Sequence, residues 1–297
     1  MLKHQIKLHF IVFIWGFTGV LGALISLPSE TLVWYRMLIA FAGIAAYLKW
    51  NKVSFTIPFP DKKKFLLNGL LVAVHWIFFF EAIKVSNVSV ALVCFASTSL
   101  FAAFFEPFFF KRKIIGYEIL FGLIAIAGLY IIFEFETKYK TGIFFSLFSA
   151  SMGALFTVIN GIFMEEKGAP ESRAGMITLY EMIGGLAGIS IYLFISNPGF
   201  LFNNIPTLPD LFYLLVLGLL CTAYAFVASV DLLKFISPYT MSISVNLEPV
   251  YAIILALIIF GEKEKMTPGF YGGALVVLIT VLGNAVMKGR KKINGNY

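Results

Sequence analysis

Ten apolar runs, each about twenty residues long and parted from the next by a short polar stretch, decide what this chain can fold into. A helix of about 20 apolar residues crosses the hydrocarbon core of a bilayer, and its backbone groups must bond within the segment because lipid offers no partners. Charge clusters and Pro, Gly or Asn positions set the spans at 6–26, 30–49, 65–84, 88–110, 114–133, 142–164, 174–195, 211–235, 238–260 and 267–287. Only 13% of the 297 residues are charged. A soluble domain carries about 25%, so this composition cannot cover a water-facing surface. The expected fold class is an all-α polytopic membrane protein, with no room for a soluble domain. The first run is too long for a signal-peptide core and reads as an uncleaved helix.

The net charge of +7 does not point to nucleic acid, because the basic residues lie in short loops and form no basic domain. Their distribution sets the orientation instead. With the N-terminus inside, 17 of the 23 Lys and Arg fall on the inner side and five on the outer, and Arg36 lies within a span. The positive-inside rule then places both termini in the cytoplasm, as an even number of spans requires. Cys94 and Cys221 both fall inside spans, where packing is the expected role and a disulfide is not indicated.

The chain repeats itself. Tyr35-Arg-Met-Leu aligns with Tyr180-Glu-Met-Ile at an offset of 145, and Ile14-Trp-Gly16 with Ile159-Asn-Gly161 at the same offset. From the third span on the offset is 150, which matches Glu81-Ala-Ile-Lys84 to Asp231-Leu-Leu-Lys234 and Gly122 to Gly272. Two five-helix units follow, 1–137 and 138–297. Five is odd, so the second unit starts on the opposite face and the repeats are inverted, an arrangement that puts a binding site near the midplane between the halves.

Polar residues at membrane depth are the candidates for function. His75 sits mid-span, with Phe79 on its own face and Trp76 on an adjacent stripe. It reads either as a neutral ring bonded to a carbonyl or as a titrating group in a wet path. Glu248-Pro249 lies in the middle of the ninth span, where proline frees the Val245 carbonyl and opens the helix beside a carboxylate. Asn246 is about 200° around from Glu248, so only one of the two is expected to face a cavity. Trp15, Tyr35 and Asn160, brought out by the repeat alignment, complete the substrate-binding or coupling set. Arg36 and Glu181 occupy equivalent positions with opposite charge; a switching ion pair is one reading, and Arg36 snorkelling to outer headgroups or holding helix carbonyls in place is the preferred one. Glu81 with Lys84 and Asp231 with Lys234 read as clamps on one helix face. Glu106 is expected to pair locally with Lys111-Arg112-Lys113, and Glu118 to serve as an N-terminal helix acid.

The sequence contains no phosphate-binding GxxxxGKS/T loop, no HExxH and no GxSxG, so direct ATP drive and zinc or serine hydrolysis lack their parts. The chain resembles the EamA-type transporters of the drug/metabolite transporter superfamily over essentially its whole length. The likeness rests on the ten spans in two halves, on Arg36, on the stretch from Glu81 to Leu92, and on Glu248-Pro-Val through Phe260-Gly-Glu262 with Gly269 and Gly272-Gly273. It departs where the family often has Gly-Glu after the fourth span and this chain has Lys111-Arg112.

The resemblance implies a carrier working by alternating access in a bacterial inner membrane. Its partners would be a small-molecule solute, the lipid bilayer and a coupled proton, with no cofactor, as a monomer or homodimer. Export of metabolites, amino acids among them, is the leading expectation. By the same resemblance His75 and Trp76 touch solute, Glu248 and Asn246 bind solute or a proton, and Arg36 and Glu181 gate or brace. Uptake on the same fold is one alternative, and an intramembrane enzyme using His75 and Glu248 on a lipid-like substrate is the other. A sensor or assembly subunit would bring a soluble module, which the spans leave no room for.

Overall fold

The computed structural model describes residues 2–111, 113, 115–165, 170 and 172–293, at a few of them by the backbone alone. Arg112, Lys167 and the Glu118 side chain lie outside the described residues. All regular structure within them is helical. In chain order the helices are α1 Leu2–Leu24, α2 Ser29–Trp50, α3 Phe59–Val85, α4 Val88–Phe95, α5 Thr98–Phe109, α6 Gly116–Phe135 and α7 Lys140–Met164. There follow α8 Arg173–Ser196, α9 Phe200–Asn203, α10 Leu208–Leu215, a π-helical segment Val216–Tyr224, α11 Ala225–Leu232, α12 Pro238–Val245, α13 Glu248–Phe260 and α14 Pro268–Ile293. Eight spans are long and apolar enough to cross a membrane, counting α4–α5, α10–α11 and α12–α13 as one each, and shorter apolar helices cover 120–132 and 268–280.

Local chemistry sets several helix ends. α3 starts earlier than the apolar run, because Pro60 suits a first turn and Asp61 complements the N-terminal dipole. Thr207 and Asp210 form a capping box at the head of α10, and the Asp210 carboxylate also accepts from the backbone and hydroxyl of Ser26 at the end of α1. Ser237 caps α12 through Thr240 N–H, with Pro238 at the first helical position.

Two spans break at matched positions. Between α12 and α13, where the proline was expected to open the helix, Leu247 N–H turns to Ser244 O and Val250 N–H to Leu247 O. Between α4 and α5, which contain no proline near the break, Ser97 N–H turns to Cys94 O and Leu100 N–H to Ser97 O. These bonds reach three residues back instead of four, and they recur at an offset of 150. The Thr98 hydroxyl takes up the Phe95 carbonyl left by the first break, at 2.6 Å.

The broken spans clasp each other at both ends. The Glu264 carboxylate accepts from Val88 N–H, Ser89 N–H and Ser89 O–H at 3.0, 2.9 and 2.7 Å, closing the head of α4. Glu106, at the end of α5, accepts from Tyr239 N–H at the head of α12, at 2.6 Å. Glu106 thus also caps a helix of the other half. Each acid stands at a helix N-terminus, where negative charge is favoured.

Glycines set how closely the remaining helices approach. A Cβ on Gly69 of α3 would stand 2.1 Å from the Glu181 carbonyl oxygen, and one on Gly184 of α8 2.1 Å from that of Leu66. The α3 and α8 backbones therefore touch. Gly128 and Gly273 bring α6 and α14 together in the same way, a Cβ on Gly273 falling 2.7 Å from Gly128 O.

The two ends of the bundle are held differently. At the end carrying the α1–α2 connection, here the far side, Glu81 accepts from Ser29 O–H at 2.7 Å and Lys84 donates to Ile25 O at 3.1 Å. Glu81 and Lys84 thus grip the connection and not each other. At the near side Asp231 pairs with Lys234 at 3.1 Å and with Lys7 of α1 at 3.3 Å, and the His4 and Phe235 rings stack at 4.0 Å.

Candidate functional site

A cavity with about 90 Å³ of free space lies between the two halves. A water needs on the order of 10–15 Å³ on this measure, so a small solute or several waters fit. Trp15 and Thr18 of α1, Arg36 of α2, His75, Trp76 and Phe79 of α3, and Phe95 and Thr98 at the first break line it from one half. Gly153, Phe156 and Asn160 of α7, Phe226, Ser229 and Leu233 of α11, Ser242 of α12 and Glu248 of α13 line it from the other. The α11 and α12 residues extend it toward the near side.

Arg36 is 2% exposed, its guanidinium carbon lies 3.7 Å from the Trp76 ring centre, and its Nε donates to Thr222 Oγ1 at 2.8 Å. The Thr222 hydroxyl in turn donates to Leu217 O, five residues back, a reach that the π-helical segment provides. Nη1 of Arg36 has no partner. Snorkelling to headgroups is therefore not what this arginine does here: the aromatic face and the threonine hold it at the cavity wall.

Glu248 is 5% exposed, opens the first turn of α13, and makes no hydrogen bond among the described residues. It lies within electrostatic reach of Arg36, yet no ion pair joins them among the described residues. The broken helix explains its position, since Glu248 sits where the ladder has turned and its side chain meets open space.

His75 is 6% exposed and fastened to α7 by Ser149. Its Nδ1 lies 2.9 Å from Ser149 O, and the Ser149 hydroxyl reaches back to His75 O at 3.0 Å. The bonding assigns the Nδ1–H tautomer, which leaves Nε2 as an acceptor. Phe95 stacks on the ring at 5.4 Å, and Phe156 lies tilted at 5.3 Å. Trp15 gives its indole N–H to Cys221 O at 3.0 Å.

Seven of the residues singled out from sequence meet at this cavity: Trp15, Arg36, His75, Trp76, Phe79, Asn160 and Glu248. Five do not. Asn246 is 1% exposed, off the wall, with neither amide atom partnered. It caps the end of α12, in the turn that separates that helix from Glu248 at the head of α13. Tyr35 turns edge-on to Trp34. Glu81 and Lys84 hold the far side.

Glu181 is fully buried between α3, α7 and α8, and Asn68 donates to it at 2.6 Å. The expected Arg36–Glu181 ion pair is absent among the described residues, because each faces a different partner set. Thr222, Ser149 and Asn68 were not singled out from sequence. A lone hydroxyl or amide in an apolar span gives no sign of the distant residue it will meet.

The helices, the cavity between them and the unpaired charges lining it define a polytopic membrane protein with an interior cavity. The family model described as EamA-like transporter family matches residues 6–134 and again 140–286, and the chain belongs to this family, part of the drug/metabolite transporter superfamily. An uncharacterized transporter from Clostridium kluyveri is 26% identical over 194 residues, which is 62% of this chain and 60% of that relative's length. A crystal structure of another protein superposes with a TM-score of 0.70 at 14% identity, covering 95% of this chain and 96% of that one. At that identity the likeness speaks for the fold alone.

Proposed function

We propose that this transporter is a secondary carrier of ten spans in two inverted five-helix units, 1–137 and 138–297. In this reading it lies in the bacterial cytoplasmic membrane with both termini inside and exports small zwitterionic metabolites by alternating access. One observation carries the solute class: a guanidinium hydrogen-bonded through Nε alone and an unbonded carboxylate line the same aromatic cavity without pairing. An amino acid answers both, its carboxylate on Arg36 and its ammonium on Glu248. Trp76, Phe79, Phe95, Phe156 and Phe226 then favour an apolar or aromatic side chain. The matched helix breaks and the twofold family match support the repeat, and the 17-to-five distribution of basic residues supports the orientation.

The test is counterflow of labelled phenylalanine in proteoliposomes, with leucine and lysine as competitors. Saturable uptake should be inhibited by leucine more than by lysine and lost in Arg36→Ala and Glu248→Gln. Wild-type protein that moves no amino acid would sink the solute class. Transport intact in both variants would sink the site.

A further inference from the structure

Arg36 and Glu248 bring opposite charges to one cavity and lie within electrostatic reach, yet no ion pair joins them among the described residues. Opposite charges in a low-dielectric space attract strongly and close up unless one of them is held. Glu248, without a hydrogen bond among the described residues, is not the one held. Arg36 is. Its Nε donates to Thr222 Oγ1 at 2.8 Å while the guanidinium carbon rests 3.7 Å from the Trp76 ring centre. A stacked plane and one bond within that plane stop the fork from swinging.

Thr222 is fully buried and stands behind the cavity wall, not on it. Its one proton goes to Leu217 O at 2.8 Å, so Oγ1 meets Arg36 only as an acceptor. A threonine in an α-helix bonds the carbonyl four residues back, whereas this bond reaches five, as the π-helical segment allows. The base beneath it is fixed. α2 presses into the segment on both sides: a Cβ on Gly218 would stand 2.6 Å from Ile39 Cγ2, and one on Gly43 2.8 Å from Leu219 Cδ2. Trp15 of α1 fastens the neighbouring residue through its bond to Cys221 O at 3.0 Å. The chemistry of the hold matters as much as its rigidity. A hydroxyl fixes the guanidinium without cancelling its charge, as a carboxylate at the same place would.

We infer that Thr222 is a positioning residue: it holds Arg36 off Glu248, so that both charges stay available to a solute instead of neutralising each other. This rests on the carrier reading above. Without the hydroxyl, Arg36 turns to Glu248, and a zwitterion must break that pair before it can bind. The loss then falls on both ends of the solute. A ligand that offers only an ammonium suffers too, because its carboxylate partner is already taken.

Equilibrium binding to protein in lipid nanodiscs tests this, with labelled phenylalanine and with phenethylamine, which keeps the ammonium and lacks the carboxylate. Thr222→Val, of the same shape without the hydroxyl, should weaken both by about tenfold or more, and Thr222→Ser should bind both as the wild type does. Where Thr222→Val does not fold, Thr222→Ala takes its place. In an Arg36→Ala background no guanidinium is left to reach Glu248, and Thr222→Val should leave phenethylamine binding unchanged. An equal loss in that background, or full binding of both ligands by Thr222→Val, overturns the assignment. If wild type binds neither ligand, the amino-acid reading fails, and NMR of isotope-labelled arginine alone decides what holds Arg36. The chain has four arginines, and the Nε–H signal absent from Arg36→Ala belongs to Arg36. That signal should stay in place in Glu248→Gln, move in Thr222→Val, and move again when Glu248→Gln is added to Thr222→Val. A signal that ignores Thr222→Val, or ignores Glu248→Gln once the hydroxyl is gone, overturns the assignment as well.

Discussion

At the scale of single residues, the proposed recognition of a solute carboxylate rests on Arg36. Its planar fork lies on Trp76 with Nε spent on Thr222, and the residue lines the cavity. A charge-assisted bond to a carboxylate is worth about 1.5–3 kcal/mol. Arg36→Ala should therefore weaken phenylalanine binding by roughly tenfold to a hundredfold, measured by equilibrium binding in detergent. Arg36→Lys should recover only part of this, because an ammonium neither stacks nor forks. Sequence made the depth of His75 and Glu248 legible, since both sit mid-span in apolar runs. It did not make the direction of Arg36 legible. That direction depends on Thr222, 186 residues away, presented by a π-helical segment that no proline or glycine pattern announces. Asn68 escaped notice for the same reason, its partners lying 92 and 113 residues off.

Among the elements, the two broken spans are the most informative. Glu248-Pro249 announces one break through the missing amide, whereas the other, at Ala96–Ser97, carries only a serine–threonine run as its signature. Offset alignment of the halves put Thr98-Ser99 opposite Glu248-Pro249, and the backbone turns at that level in both. The carboxylate clasps hold these spans in register. Glu264→Ala removes the acceptor of three hydrogen bonds and should destabilise the protein by about 2–3 kcal/mol, read as a lowered melting temperature in detergent. Glu264→Gln, which keeps one oxygen, should lose less. At the α3–α8 contact the cause of instability would be steric. Gly184→Val must push apart two touching backbones and should cost about 3 kcal/mol or more, whereas Gly272→Ala, with open space at its Cβ position, should be close to silent.

For the whole molecule, the two ends differ in what must be broken to open them. On the far side α7 interlocks with α3 and α4: Ser146 donates to Ala91 O of α4, and Gly142 sits against Ser86 at the end of α3. On the near side the joint rests on the single Glu106–Tyr239 clasp, the Lys7–Asp231 pair, about a third exposed on each partner, and a ring stack. An exposed pair of this kind contributes about 0–1 kcal/mol. The near side should therefore open first. In a chain with Cys94 and Cys221 replaced by Ala, Leu233→Cys should react with a soluble maleimide faster than Phe79→Cys, as timed by mass shift. Synthesis from the N-terminus adds an asymmetry to the paired clasps. When Tyr239 emerges, Glu106, made 133 residues earlier, is already in place to receive its amide. The head of α4 has no such partner waiting, since Ser89 precedes Glu264 by 175 residues. At about 5–20 residues per second its amides stay open for on the order of ten seconds or more. Chains stalled on the ribosome before residue 264 should accordingly leave Ser89→Cys reactive and released chains should shield it, making the final loop the stitch that completes assembly of the first half.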